Sequence, residues 1–124
     1  YGMLDTLDNV KKGGRLSSGS AMIGKMLNLK PIIQVEKGLV NVANKVRGSK
    51  KGMTWMIDQL LAEYPEGEVD QIALAYANDV EKLYIFKEMV TSAIKVNHIY
   101  ESEIGSVVGT HTGEGAVGIV FYRK

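Results

Sequence analysis

The 124-residue sequence predicts an α/β (α+β) fold, a two-layer sandwich in which a mixed β-sheet carries helices mainly on one face. Three observations lead there. Hydrophobic residues recur at helical spacing in some windows and alternate in others. The two kinds of segment follow one another in an even rhythm without a low-complexity linker. Some strands are joined by a tight turn and others by a helix, so antiparallel and parallel pairs belong to one sheet.

The elements follow in order. Over residues 4–12, Leu4, Leu7 and Val10 keep a helical spacing that stops at Gly13 and Gly14. Ser17 and Ser18 are candidate N-caps for a second helix over 19–28, whose Ala21, Met22, Ile23, Met26 and Leu27 leave little polar face. Ile33 and Val35 alternate with polar residues, Lys37 and Gly38 supply a turn, and Val40 and Val42 alternate again, which predicts a hairpin. Met53, Met56, Ile57, Leu60, Leu61 and Tyr64 fall on one helical stripe closed by Pro65 and Gly67, and Trp55 lies off it. Residues 69–77 are apolar on both faces, as in a central strand. Asn78 or Asp79 then caps a helix expected to run to about Val96, and residues 97–103 and 116–123 read as the last two strands.

Composition removes several classes of function. The chain has no cysteine, so disulfides and thiolate metal sites are excluded and a reducing, cytoplasmic setting is the default. Its longest apolar runs fall short of the roughly 20 residues that cross a bilayer, so stable membrane insertion is not expected. A formal net charge of +1 and a pI of 8.1 lie below the range of typical nucleic-acid modules. The length suits one domain spanning 1–124. An opening Tyr1 followed at once by apolar sequence suggests a piece of a longer protein.

Local chemistry concentrates in three segments. In Gly109-Thr110-His111-Thr112-Gly113-Glu114-Gly115 a histidine stands between two threonines among glycines. Glycines let the backbone approach a ligand while Thr110, His111 and Thr112 converge on one polar group. The plain alternative is a glycine-rich strand connection with a solvated imidazole. Arg15 sits between a double glycine and a serine-capped helix, placed to meet an anion or to stay an exposed turn residue. Lys45, Arg47, Lys50 and Lys51 form the only locally basic stretch, either a docking patch for an acidic partner or phosphate or simply solvated charge. Nucleic-acid binding there would require aromatic interleaving, which is absent.

The segments 4–17, 29–51 and 104–116, with Lys12-Gly13-Gly14-Arg15-Leu16-Ser17, Lys45-Val46-Arg47-Gly48-Ser49-Lys50-Lys51 and His111-Thr112-Gly113-Glu114-Gly115-Ala116 at their centres, together resemble the carboxy-terminal domain of DegV-like fatty-acid-binding proteins. The resemblance covers essentially the whole chain. It implies a bacterial carrier that performs no chemistry itself, with no cofactor. One long-chain fatty acid lies in a hydrophobic tunnel, its carboxylate held by hydroxyls of an amino-terminal domain, missing here, and by a histidine matching His111. Similar proteins present the fatty acid to the ATP-binding subunit of a fatty acid kinase, which makes acyl phosphate for phospholipid synthesis. By the same matching, Arg15 falls near the tunnel entrance and Arg47 at the kinase contact, with Lys50 and Lys51 beside it. Unbranched methionines suit a wall that follows a bent chain, which singles out Met22, Met26 and Met53, with Ile23 and Leu27 beside them. Ser106 and Glu114 stand where the family often has proline, which loosens the loop.

Burial of a sixteen-carbon tail supplies a gross transfer term on the order of 10 kcal/mol before entropy losses. The carboxylate needs hydrogen-bond donors, because an ionised group taken from water without partners costs several kcal/mol. The alternative is a hydrolase or transferase acting on a small acyl substrate with His111 as general base. No nucleophile motif or metal-ligand pair accompanies it.

Overall fold

The computed structural model describes residues 1–3, 30–103 and 116–123. The expected helices over 4–12 and 19–28 lie outside the described residues. Six strands form one mixed sheet in the order β3-β2-β1-β6-β4-β5. They are β1 (Gly2–Met3), β2 (Lys30–Glu36), β3 (Leu39–Val46), β4 (Glu68–Tyr76), β5 (Lys95–Glu103) and β6 (Val117–Val120), with helices α1 (Ser49–Glu63) and α2 (Val80–Ala93) between β3 and β4 and between β4 and β5. β4 and β5 are parallel, as their helical crossover requires, and every other pair is antiparallel.

The hairpin forms where expected because Lys37 (φ 54°) and Gly38 (φ 78°) both take the left-handed backbone that matches strand twist. Pairing fixes which residues share a face. Met3, Ile32, Val117, Ile119 and Leu74 lie together towards the helices. Against them α1 buries Met53, Met56, Ile57 and Leu60, and α2 buries Leu83, Phe86 and Val90. The apolar stripe read from 53–64 is thus the buried face of α1. Gly52 is glycine for packing, since a Cβ there would collide with the Met3 sulfur and press on Val46.

Several boundaries differ from the sequence reading: β4 runs Glu68–Tyr76 and not 69–77, and β5 begins at Lys95 and not at residue 97. The helix expected to reach Val96 ends at Ala93, because Ile94 turns to extended backbone (φ −148°, ψ 146°) and its buried, β-branched side chain starts the run into β5. The last strand stops at Val120 rather than Arg123. β1 carries too few residues for any period to show, and it exists because β2 and β6 flank it. Trp55 is half-buried and meets Tyr1 edge to face at 5.3 Å and 86°.

Candidate functional site

The sheet has two ends with different contents. β1, β3, β4 and β5 finish at one end, where β2 and β6 begin: Met3 pairs with Val117 and Ile32, Lys30 with Val46, and Tyr76 with both Val117 and Glu103. We call this the upper end. Every segment singled out for chemistry leaves from it. The histidine segment departs after Glu103 and returns at Ala116, so both its attachment points flank the end of β4, and the Ala116 carbonyl accepts a hydrogen bond from the Ala77 amide at 2.9 Å. The segment carrying Arg15 departs after Met3 and returns at Lys30. The basic stretch begins at Lys45, near the end of β3's ladder, and runs on into the start of α1. Antiparallel and crossover connections thus bring stretches remote in sequence to one rim.

Of the residues named from the sequence, Arg15, Met22, Ile23, Met26, Leu27, Thr110, His111 and Thr112 lie outside the described residues, as do Ser106 and Glu114. Four are described. Arg47, Lys50 and Lys51 are exposed and form no ion pair with another described residue. They surround the start of α1, whose N-cap is Gly48 (φ 87°) without a side-chain cap and whose first turn holds no acidic residue. Lysines there add to the positive end of the helix dipole instead of offsetting it, so this part of the rim is electropositive. α2 begins at the same end with the opposite device: the Asp79 carboxylate accepts from the Lys82 amide at 3.3 Å, with Glu81 in the first turn.

The fourth residue, Met53, is 2% exposed and lines a groove between α1 and α2. Both helices start at the upper end, so the groove runs from Ser49 and Lys82 there down to Leu61 and Ala93. Ile57, Ile85 and Met89 give it apolar walls. Its volume of about 840 Å³ falls in the range of small-molecule clefts. Ile85 escapes the sequence reading, and Met89, one of the six methionines that suit such a wall, is not among the three it prefers, because an apolar residue on a helix carries no mark of whether it faces core or cleft.

The sheet face away from the helices is also apolar in part. Ile33, Ala73, Ala75 and Val120 lie on it by register, and Val120 is 64% exposed. Among the described residues no cluster of His, Asp or Glu could hold a metal, and no helix is long and apolar enough to cross a membrane. No buried side-chain polar atom among them lacks a partner.

A family model described as "Uncharacterised protein, DegV family" matches residues 1–124. A DegV domain-containing protein of Caldanaerobacter subterraneus subsp. tengcongensis is 34% identical over 122 residues, which are 98% of this chain and 44% of that protein. Among solved structures, a DegV lipid binding protein from Thermotoga maritima superposes with a TM-score of 0.82 at 27% identity, covering 99% of this chain and 43% of its own. The fatty acid kinase (Fak) B3 protein of Streptococcus pneumoniae, loaded with linoleic acid, does so with a TM-score of 0.76 at 25% identity, covering 95% and 42%. The chain spans less than half the length of these relatives.

Proposed function

This chain belongs to the DegV family, and we propose that it is the carboxy-terminal, acyl-chain-receiving domain of a longer fatty-acid-binding protein. The ligand is a long-chain fatty acid whose carboxylate is held in part by His111, with Thr110, Thr112 and Arg15 nearby. The observation that carries this reading is the convergence at the upper end. The attachment points of the histidine segment, those of the Arg15 segment and the mouth of the apolar groove share one rim of the sheet.

The division of labour follows from energetics. An apolar cleft removes the tail from water and supplies affinity, about 0.8 kcal/mol for each methylene buried. The imidazole, able to donate from either neutral tautomer or as imidazolium, replaces water at the acid end and sets orientation. Met22, Met26, Ile23 and Leu27 join Met53 in lining the tail's path. Lipid binding in the Thermotoga relative and linoleic acid in the Streptococcus relative support the ligand class. The fatty acid kinase in the name of the latter supports a kinase partner, to which Arg47, Lys50 and Lys51 would turn. The protein is then a carrier and not an enzyme, working in the cytoplasm. The remaining hydroxyls for the carboxylate come from a further domain.

Mass spectrometry of lipid extracted from the purified full-length protein tests the reading. About one fatty acid per protein is expected, since one acyl chain fills one ligand cleft. Absence of fatty acid, together with failure to take one up in a direct titration, overturns it.

A further inference from the structure

The sheet ends at β3 on one side and at β5 on the other. An open strand edge offers its backbone groups to any second chain, and proteins commonly blunt such edges with bulges, prolines, lysines or short strands. β3 is blunted: its ladder with β2 shifts register between Ile32 and Ile33, and Lys45 stands near its end. β5 is not. It runs nine residues, Lys95–Glu103, without proline, and keeps step with β4 from the Glu68 and Lys95 pair to the Tyr76 and Glu103 pair with no shift. Its one lysine is its first residue. No other described residue pairs with its outer side.

One hydrogen bond tells which backbone groups lie on that outer side. The Lys95 amide donates to the Gly67 carbonyl at 3.0 Å and so points towards β4. Successive residues of a strand turn their backbone groups to opposite sides, which leaves those of Val96, His98, Tyr100 and Ser102 outward. A second β5 laid antiparallel against this edge can match outward residues only with outward residues, and one register then pairs the whole strand, with a two-fold axis at Ile99. His98 faces the second copy's Tyr100, and Lys95 faces the second copy's Glu103, twice by symmetry. The strand is thus self-complementary in charge. Glu103 has no ion pair with another described residue, and Lys95 holds a loose one to Glu68 at 3.8 Å with its side chain 72% exposed. A slip of two residues in either direction shortens the ladder and takes Lys95 away from Glu103.

The neighbouring helix points the same way. Lys87 of α2 bonds Glu101 of β5 at 2.6 Å, which sets that flank of the helix beside the edge. Val80 and Tyr84 belong to the same helical stripe as Lys87 and are 38% and 57% exposed. Tyr100, on the opposite sheet face with Ala73, is 60% exposed. Apolar surface of this kind next to an open edge suits association.

We propose that the protein self-associates through β5, two copies pairing antiparallel about Ile99 so that their sheets become one. The inference does not rest on the ligand. The two-fold axis stands perpendicular to the joined sheet, so both α2 helices lie on one face with Val80 and Tyr84 towards the interface. It also sends the upper ends of the two copies in opposite directions and leaves each β3, with its basic stretch, at a far edge. A dimer then carries two ligands without covering either basic stretch.

Sedimentation equilibrium of the full-length protein over a concentration series tests this, with lipid extracted from the same preparations so that ligand content is read separately. A reversible dimer at micromolar concentration is expected. Glu103→Lys sets lysine against lysine twice and should raise the dimer dissociation constant about 10-fold. Combining it with Lys95→Glu exchanges the two charges and should bring the constant back to within about 3-fold of the original. Tyr100→Pro removes an outward N–H, a position where an edge strand tolerates proline, and should abolish the dimer while circular dichroism shows the protein folded. A monomer at every concentration overturns the proposal. So does a dimer indifferent to Glu103→Lys, one that the charge exchange fails to recover, or one that persists in folded Tyr100→Pro.

Discussion

A methyl group at Gly118 would lie 2.9 Å from the Tyr1 carbonyl oxygen and 3.3 Å from the Gly2 Cα, both of them backbone that cannot swing aside. Gly118→Ala should therefore destabilise the domain by about 1–3 kcal/mol, the usual cost of forcing atoms into a packed site, read as a lower denaturant midpoint. An unchanged midpoint would mean that β1 and β6 are not held as closely as the structure has them. Nothing in the sequence around Gly118 marks this role, since the close approach comes from strands far apart in the chain. His111 is the converse case, conspicuous in sequence because glycines and threonines isolate it. Its replacement should remove one charge-assisted hydrogen bond from the carboxylate, of about 1.5–3 kcal/mol. His111→Ala in the full-length protein is thus expected to weaken fatty-acid binding roughly 10- to 100-fold in a direct titration. The thermal transition of the lipid-free protein should stay in place. Unaltered affinity would remove the histidine from the site.

Among elements, α2 shows how much a boundary depends on a few atoms. Its start was legible, because Asp79 precedes the helical stripe and its carboxylate takes up the Lys82 amide. Asp79→Ala should cost about 1 kcal/mol, measured by chemical denaturation, whereas Asp79→Asn should retain most of that stability. Equal losses in the two variants would show that the cap contributes through charge and not through the hydrogen bond. The helix end was not legible. Ala93, Ile94 and Val96 continue an apolar pattern that fits a helix as well as a strand. What decides is tertiary: the Lys95 amide bonds the Gly67 carbonyl at 3.0 Å and Lys95 enters register with Glu68, drawing the chain into β5. The stripe of α1, by contrast, was read correctly because six apolar residues at one spacing outvote any single neighbour.

At the scale of the molecule, the sequence offered separate candidate segments, and only the strand order brings their attachment points together. Met3, Val46, Tyr76, Glu103 and Val117 are scattered through the chain, yet pairing puts them along one rim, with the electropositive start of α1 at its β3 side. This arrangement separates holding from presenting. In the proposed function tail and carboxylate are assigned to the cleft and the histidine segment, while Arg47, Lys50 and Lys51 are exposed with no ion pair to another described residue. Exposed charges of this kind contribute little to stability and act mainly on encounter, accelerating approach to an oppositely charged surface. Reversing one should therefore affect the kinase and not the lipid. Arg47→Glu in the full-length protein is expected to slow association with the fatty acid kinase about 10-fold at low ionic strength. The difference should shrink as salt shortens the screening length to about 8 Å near 0.15 M. The extracted fatty acid should be undiminished. Stopped-flow association over a salt series, with lipid measured on the same preparations, checks both halves. A rate indifferent to the reversal would move the docking surface elsewhere on the rim, and loss of lipid would mean that the basic stretch belongs to the carboxylate site instead.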